Sequence, residues 1–298
     1  MSKILYLTTF ILFFSIQDSA FACTSFAVYS NQIFYGMNFD FADFAMKFLI
    51  STNGDIKTFH LLFERTFGDV GLFVKTAGMN TKGLFASCQE QHPFNGNPQE
   101  NKNGNLYVYE LYEKIDCSDS IENIEKILEK TKIINMPELN LHNLFADVDG
   151  NAFIVASGPD GNAITQMDGK FIVMTNFENH LLDGKSYTEA DGMGSDRYII
   201  CTEYLQDTIH NFTIDNGIEL LHKARNQDPV YATACSMVFD PQNNNVYIFL
   251  YCDLNRIYKV DIETNIIEIW KGPTNKHTQP LTIGDEGIMV SDLIKHYV

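Results

Sequence analysis

Short apolar runs separated by turn-forming residues predict β-strands near the start of the chain. Aromatic and β-branched residues are concentrated in these runs, and Asn31, Asn53-Gly54 and Gly68 lie between them. The predicted strands cover residues 24–29, 32–37, 56–63, 71–75 and 84–88. Residues 24–88 are therefore expected to form a β-sheet.

Farther along, the pattern predicts helices separated by more strands. Residues 106–130 place Ile121, Ile124 and Leu128 at helical spacing, with Asp119 and Glu122 as a candidate capping box. Two further helices are predicted at 196–205 and 214–225. The remaining predicted strands cover residues 144–147, 152–156, 163–166, 171–175, 235–239, 246–251, 257–260 and 266–270.

This order of elements predicts an α+β protein with helices packed outside antiparallel sheets. Sheet and helix segments come in separate groups, which does not fit an alternating, doubly wound arrangement. The sequence contains no internal repeat and no linker, so residues 23–298 are expected to form a single domain.

The first 22 residues have the layout of a secretory signal peptide. Lys3 precedes an apolar run over 4–16, and the segment ends with Ala20-Phe21-Ala22. A helix that spans a bilayer needs about 20 apolar residues, and this run is shorter. We expect an exported protein, periplasmic or extracellular, with no transmembrane segment after cleavage. The competing interpretation is lipoprotein processing, which would acylate Cys23.

Charge and the scatter of potential ligands exclude several classes of function. A net charge of −17 argues against nucleic acid as a partner, because phosphate binding needs clustered Lys and Arg. The six cysteines and eight histidines show no short metal-binding spacing, so neither a metal nor another cofactor is predicted. The sequence leaves a homo-oligomer open as well as a monomer.

Cleavage after Ala22 would place a thiol and a free α-amine on the same residue, Cys23. The thiol is a strong nucleophile once deprotonated, but its reference pKa of about 8.5 leaves little thiolate at neutral pH. The α-amine, with a reference pKa of about 7.7–8.0, can take that proton and later return it. Cys23 is therefore a candidate nucleophile with its own base.

The residues around Cys23 resemble the start of the choloylglycine hydrolase family, which includes bile salt hydrolases and penicillin V acylases. The resemblance rests on the segments Cys23-Thr24-Ser25-Phe26 and Tyr35-Gly36-Met37-Asn38-Phe39-Asp40. It continues in order through 78–84, 144–154, 175–176, 195–198 and 231–262. It implies an N-terminal nucleophile hydrolase with a four-layer αββα fold that acts on linear amides.

The resemblance also implies roles for individual residues. Asp40 corresponds to the carboxylate that holds the α-amine of the nucleophile, and Arg197 to the arginine that supports the nucleophile network. Asn176 corresponds to the amide that helps to bind the developing oxyanion. Gln89 is the candidate for a second oxyanion donor. Each has a plainer interpretation as an ordinary turn or surface residue.

One position departs from the family pattern. Met37 occupies the place where the family commonly has an arginine, and a methionine can neither donate hydrogen bonds nor stabilise a thiolate. This puts bile salts and penicillin V in doubt as substrates and makes Met37 a candidate pocket residue. Phe41 and Phe44, like Met46 and Phe48, are expected either to line an acyl pocket or to pack in the core.

The leading functional hypothesis is hydrolysis of a linear amide in a small N-acyl compound. The same acyl-enzyme can be intercepted by another amine, so an acyltransferase is the nearest alternative. A non-catalytic exported binding protein is an alternative of a different class, because a fold does not by itself establish a function.

Overall fold

The computed structural model describes residues 23–41, 44–67, 70–93, 104–135, 139–274 and 278–297. The predicted signal peptide, residues 1–22, lies outside them. The strands, numbered along the chain, are β1 (Thr24–Tyr29), β2 (Ile33–Asp40), β3 (Met46–Asn53), β4 (Ile56–Phe67), β5 (Val70–Asn80), β6 (Phe85–Glu90), β7 (Leu106–Tyr107), β8 (Ile133–Ile134), β9 (Leu141–Ala146), β10 (Ala152–Ser157), β11 (Asn162–Gln166), β12 (Phe171–Met174), β13 (Thr233–Asp240), β14 (Asn245–Leu250), β15 (Ile257–Asp261), β16 (Ile266–Lys271), β17 (Leu281–Thr282) and β18 (Ile288–Met289).

The described α-helices and 3₁₀ turns lie between and after these strands. The helices are α1 (Val108–Tyr112), α2 (Ile121–Leu128), α3 (Ser195–Thr208), α4 (Ile214–Lys223) and α5 (Val290–Tyr297). The 3₁₀ turns are Glu113–Asp116, Asn179–Leu182, Tyr187–Glu189 and Ile209–Asn211. No helix in the described ranges is long and apolar enough to cross a membrane.

Two eight-stranded antiparallel sheets form the centre of the molecule. Sheet A has the strand order β12-β1-β2-β13-β14-β15-β16-β17, and sheet B has the order β11-β10-β9-β6-β5-β4-β3-β18. Their inner faces pack on each other through aromatic side chains. Tyr35 of sheet A stacks on Phe85 of sheet B with 5.2 Å between the ring centroids, and Phe239 lies 4.9 Å from the same ring.

Helices cover the outer face of each sheet. On sheet A, Phe26 and Val238 pack in one buried cluster with Leu205 of α3 and Leu221 of α4. On sheet B, the residues that pack against α1 and α2 form a separate cluster; they include Ala86, Phe145, Phe153 and Val155. The order of layers is helix, sheet, sheet, helix, which confirms the predicted α+β class and the four-layer αββα arrangement.

Alternation along β2 determines which of its residues meet the helices. Tyr35, Met37 and Phe39 belong to the core between the sheets. The residues between them point the other way, because successive side chains of a strand face opposite sides of the sheet. Asn38 accordingly donates from Nδ2 to the carbonyl of Leu221 in α4, at 2.8 Å.

The structure departs from the sequence prediction in several elements. Strand β3, helix α5 and the short strands β7, β8, β17 and β18 were not predicted, and residues 106–130 contain two helices rather than one. The predicted capping box is wrong. Helix α2 starts one residue later than the pattern requires, so its N-cap is Ser120, which makes no side-chain capping bond. Asp119 instead accepts a hydrogen bond from Asn123 Nδ2.

Candidate active site

Cys23 lies immediately before β1, and side chains from two other parts of the chain hold its backbone. Its nitrogen donates to Asn176 Oδ1 at 2.9 Å, and its carbonyl oxygen accepts from Arg197 Nη1 at 2.6 Å. The residue is 3% exposed. Strand β1 is itself paired on both edges, with β2 and β12, so the position of Cys23 is fixed along the strand as well as at its start.

Arg197, in the first turn of α3, connects the residues of this cluster. Besides Cys23, its Nη1 donates to Thr24 Oγ1 at 2.7 Å and lies 3.4 Å from Asp40 Oδ2. Its Nη2 donates to Asn176 Oδ1 at 2.8 Å. The guanidinium is planar and always charged, which suits it to join several oxygen acceptors at once.

The start of α3 is shaped to admit this guanidinium. Gly194, the N-cap residue, has a φ of +78°, in the left-handed region that favours glycine. A Cβ atom at Gly194 would lie 2.6 Å from Arg197 Nη2 and 3.0 Å from Thr175 Cβ. A side chain at this position would therefore displace the guanidinium from the cluster.

Asp40 is a fully buried carboxylate at the end of β2. Thr233 Oγ1 donates to its Oδ1 at 2.5 Å, while Arg197 approaches its Oδ2. Burial raises the pKa of Asp40 to about 7, although the positive charge of Arg197 and the hydrogen bond from Thr233 both oppose the rise. A further cation beside Asp40 would stabilise its charged form.

Burial also governs the thiol of Cys23. Loss of solvent raises its pKa well above the ordinary value, and the negative charge of Asp40 adds to the rise. The backbone N–H of Asp40 and the charge of Arg197 act in the opposite direction. A thiol with a raised pKa needs a nearby base before it can act as a nucleophile.

The orientation of the Asn176 side chain follows from its partners. Arg197 can only donate hydrogen bonds, so the atom that faces it must be the oxygen, Oδ1. The amide nitrogen, Nδ2, therefore points the other way and donates to the carbonyl of Glu90 at 2.9 Å. The predicted oxyanion role would belong to this same nitrogen.

Gln89 faces Cys23 from the opposite sheet. It lies on β6, is buried, and donates from Nε2 to the hydroxyl of Ser25. Its Oε1 has no hydrogen-bond partner among the described residues. Gln89 also lines the same cleft as Cys23. The structure thus brings Gln89, Asn176, Asp40 and Arg197 around the start of β1, and their chemical roles stay predictions.

A cleft with a volume of about 110 Å³ reaches Cys23. Three charged residues, Arg65, Lys75 and Glu90, contribute to its walls. Most of the remaining wall is apolar; its large apolar side chains are Phe39, Phe63, Val74, Tyr109, Leu139 and Leu141. A site that is mainly apolar with a few placed polar groups is typical of small-molecule pockets.

The three residues predicted for the substrate pocket lie outside the lining of this cleft. Met37 is fully buried between the sheets, where it pairs with Ser25 on one side and Met237 on the other. The rings of Phe41 and Phe44 pack against Phe63, with centroids 6.2 and 6.0 Å away. Phe41 and Phe44 therefore support the wall from behind.

Several residues at the site were not predicted from the sequence. Thr233, which donates to Asp40, belongs to a segment that carries the family resemblance, so the signal for it was present. Thr24 and Ser25 adjoin Cys23 in the first motif. Glu90 follows Gln89 directly, and it gave no separate signal.

Among the described residues, no group of three or more His, Cys, Asp or Glu could hold a metal ion.

Comparison with known proteins identifies the fold. No protein-family model matches the sequence, and no curated protein is detectably similar to it. Solved structures do match. Conjugated bile acid hydrolase from Clostridium perfringens matches as a cysteine-to-alanine mutant, with a TM-score of 0.60 and 14% identity, and as an arginine-to-leucine variant, with a TM-score of 0.61 and 14% identity. Each match covers 86% of this chain and 100% of that chain.

A second solved structure has the same fold. Penicillin V acylase from Agrobacterium tumefaciens matches with a TM-score of 0.57 and 17% identity, over 83% of this chain and 90% of that one. The chain therefore has the fold that the sequence resemblance implied. It shares this fold with the proteins named conjugated bile acid hydrolase and penicillin V acylase.

Proposed function

We propose that this protein is an exported amidase that hydrolyses the linear C–N amide bond of an N-acyl compound, with Cys23 as the nucleophile. One observation carries the proposal: Asn176 and Arg197 hold the backbone nitrogen and oxygen of Cys23, while its side chain lines an apolar cleft. The shared fold with conjugated bile acid hydrolase and penicillin V acylase supports the same chemistry.

The first step is deprotonation of the thiol by the α-amine of Cys23. Removal of residues 1–22 turns the nitrogen that now donates to Asn176 Oδ1 into a free amine. This amine has a reference pKa of about 7.7–8.0, and it is the base closest along the chain to the thiol. Asp40 stabilises the ammonium that forms, and the ammonium in turn favours the charged form of Asp40.

Acylation follows from attack on the substrate carbonyl. The thiolate forms a C–S bond, and the carbonyl electrons move onto oxygen, where N–H groups of Asn176 and Gln89 stabilise the negative charge. When the carbonyl reforms, the C–N bond breaks and the amine leaves with the proton held by the Cys23 ammonium. Water then hydrolyses the thioester, releasing a carboxylic acid and restoring the thiol.

The decisive experiment compares three forms of the protein on a set of N-acyl amides. These are residues 23–298 with a free Cys23 amine, the same chain with an uncleaved methionine before Cys23, and Cys23→Ala. The methionine converts the amine into an amide, which cannot accept a proton. Release of amine should fall about 1,000-fold or more in both altered forms, because nucleophile and base act as a unit.

Cys201→Ala is the matched control, because Cys201 is another fully buried thiol and lies in the helical layer outside sheet A. It should keep wild-type rates. Equal rates for the capped and mature proteins would show that the amine is not the base. Product analysis in the presence of a second amine separates hydrolysis from acyl transfer.

Processing of the exported protein is tested by intact mass. The mass should correspond to loss of residues 1–22 with no lipid attached. A diacylglycerol adduct on Cys23 would assign this residue to membrane anchoring, and the proposed mechanism would be wrong.

A further inference from the structure

The cleft beside Cys23 does not stay between the two sheets. Part of its lining, including Phe39 and Phe63, belongs to the core between sheets A and B. Another part, including Cys88, Leu139 and Leu141, belongs to the cluster on the outer face of sheet B, under α1 and α2. A single cleft that reaches both clusters crosses the level of sheet B.

Sheet B has an opening at the required place. Strands β5 and β6 are paired at Met79↔Phe85, Gly78↔Ala86 and Ala77↔Ser87, and the pairing ends there. Both strands continue, and the cleft is lined by residues 74–76 of β5 and 88–90 of β6. We call the space between these two segments the β5–β6 opening.

A β-bulge explains why the strands separate. Along β4 the partner of Leu61 is Ala77 and the partner of Leu62 is Lys75, so Thr76 is an extra residue on β5. An extra residue bends its strand and increases the local twist, and such bulges are common beside active sites. The pairing of β5 with β6 ends at the residue next to this bulge.

Side chains satisfy backbone groups that the ladder would otherwise pair. The N–H of Lys75 donates to the hydroxyl of Tyr109 at 3.0 Å, and Thr76 Oγ1 donates to the carbonyl of Cys88 at 2.9 Å. Unpaired backbone groups in a buried site are costly. With these bonds in place the opening can hold an apolar ligand without leaving those two groups unsatisfied.

The charged residues of the cleft are paired with opposite charges, and Arg65 Nη1 lies 3.8 Å from Glu90 Oε1. Lys75 Nζ forms an ion pair with Asp116 Oδ2 at 2.5 Å. Asp116 accepts further hydrogen bonds from Ser51 and His60, which fix it on the outer side of sheet B. The ammonium of Lys75 is therefore held by a carboxylate rather than directed at a ligand, and the β5–β6 opening keeps an apolar character.

We infer that the β5–β6 opening receives the acyl part of the substrate as a slim, unbranched aliphatic chain. The chain would lie between β5 and β6 and extend from Cys23 towards Tyr109 and Leu139. This inference rests on the proposed function and adds its substrate class, because a gap between two strands admits a linear chain more readily than a fused-ring skeleton. Tyr109 and Leu139 then become determinants of chain length.

The test measures binding, so it does not depend on catalysis. Mature Cys23→Ala protein is titrated calorimetrically with straight-chain carboxylates from butanoate to tetradecanoate and with a fused-ring carboxylate of similar carbon number. Affinity should rise about fourfold per added methylene group until the opening is full. The fused-ring acid should bind more weakly than the straight chain of similar carbon number.

Leu139→Trp, in the same Cys23→Ala background, narrows the far end of the β5–β6 opening. It should lower the ratio of dodecanoate to butanoate affinity about tenfold or more, as expected for the loss of about two buried methylene groups. Ile164→Trp is the control, since Ile164 is exposed on β11 of the same sheet and lies outside this cleft. The ratio of dodecanoate to butanoate affinity in this control should match that of the Cys23→Ala protein.

The two proposals fail in different ways. Affinity that does not grow with chain length, or a fused-ring acid that binds best, overturns the inference about the opening even if the mature enzyme releases amine from its substrates. Chain-length-dependent binding by a mature protein that never releases amine supports the opening and contradicts the proposed function. The chain-length series in Cys23→Ala remains decisive if Leu139→Trp does not fold.

Discussion

Strand pairing near Cys23 is continuous in sheet A and interrupted in sheet B. In sheet A, β1 is paired with β2 from Thr24↔Asn38 to Tyr29↔Ile33 and with β12 on its other edge. In sheet B, β5 and β6 stop pairing at Ala77↔Ser87. The continuous ladder fixes the position of the nucleophile, and the interrupted ladder makes room. The sheet A side of the site therefore positions Cys23, and the sheet B side leaves space beside it.

The two regions also differ in polarity. The sheet A side gathers Asp40, Asn176, Thr233 and Arg197 in a buried network of hydrogen bonds. The sheet B side presents mostly apolar side chains to the cleft. Damage to the network should therefore affect every substrate alike, while damage to the opening should affect substrates according to their acyl chains.

Arg197→Met should have the largest effect. It removes the donor shared by Cys23, Thr24 and Asn176 and leaves the carboxylate of Asp40 buried without its cation. Removing one partner of a buried ion pair costs about 3–5 kcal/mol in stability. We expect that loss in urea unfolding, together with loss of nearly all activity. Arg225→Met is the control, and equal losses in both variants would contradict the assigned role.

Asn176→Ala should come next. It removes the acceptor for the Cys23 nitrogen and a proposed oxyanion donor, which typically costs about 100- to 1,000-fold in kcat. The loss should be the same for short and long acyl chains, because Asn176 lies on the sheet A side. A loss confined to long chains would contradict the division of roles between the two sheets.

Much of the sheet A side could be predicted from the sequence. The signal-peptide layout, together with segments that match the choloylglycine hydrolase family in the same order, indicated Cys23, Asp40, Asn176 and Arg197 in advance. The structure brings all four together. Such residues can be recognised because each one lies in a short sequence segment that resembles the corresponding segment of the family.

The sheet B side could not be predicted in this way. The β5–β6 opening depends on a bulge at Thr76 within a segment that has an ordinary strand pattern. It also depends on Tyr109, which lies 34 residues from Lys75 along the chain. The apolar alternation of Met46 and Phe48 was open to interpretation as pocket lining, whereas the structure places both in the core as part of β3. These features depend on which distant segments of the chain contact each other, and a local sequence pattern does not reveal that.

The pH dependence of stability should report on Asp40 in the methionine-capped protein. Burial raises its pKa in the folded state to about 7, above the ordinary value of 3.8. A raised carboxyl pKa gives a stability contribution that is complete below pH 4 and is lost as the pH rises through 7. The unfolding free energy should therefore fall over this range relative to Asp40→Asn, by on the order of a few kcal/mol.

The mature protein should show a weaker version of this pH dependence. Its free ammonium lies in the same cluster and favours the charged form of Asp40, which lowers the pKa towards its ordinary range. Urea unfolding of the capped and mature forms at pH 4, 6 and 8 would measure the difference. Identical profiles would show that the amine of Cys23 does not interact with Asp40.

Tyr109→Phe should have the smallest effect and is the most specific test of the sheet B side. The substitution keeps the ring in the cleft wall and deletes the hydroxyl that accepts from the Lys75 N–H. A buried donor left without its partner costs about 1–3 kcal/mol, and we expect a loss of stability in that range. The kcat/KM for long acyl chains should fall more than that for short ones, because a long chain would lie against the unsatisfied N–H. Tyr187→Phe, outside this cleft, should change neither quantity. If Tyr109→Phe lowers activity equally for all chain lengths, Tyr109 supports the general structure of the site and does not limit the acyl chain in the β5–β6 opening.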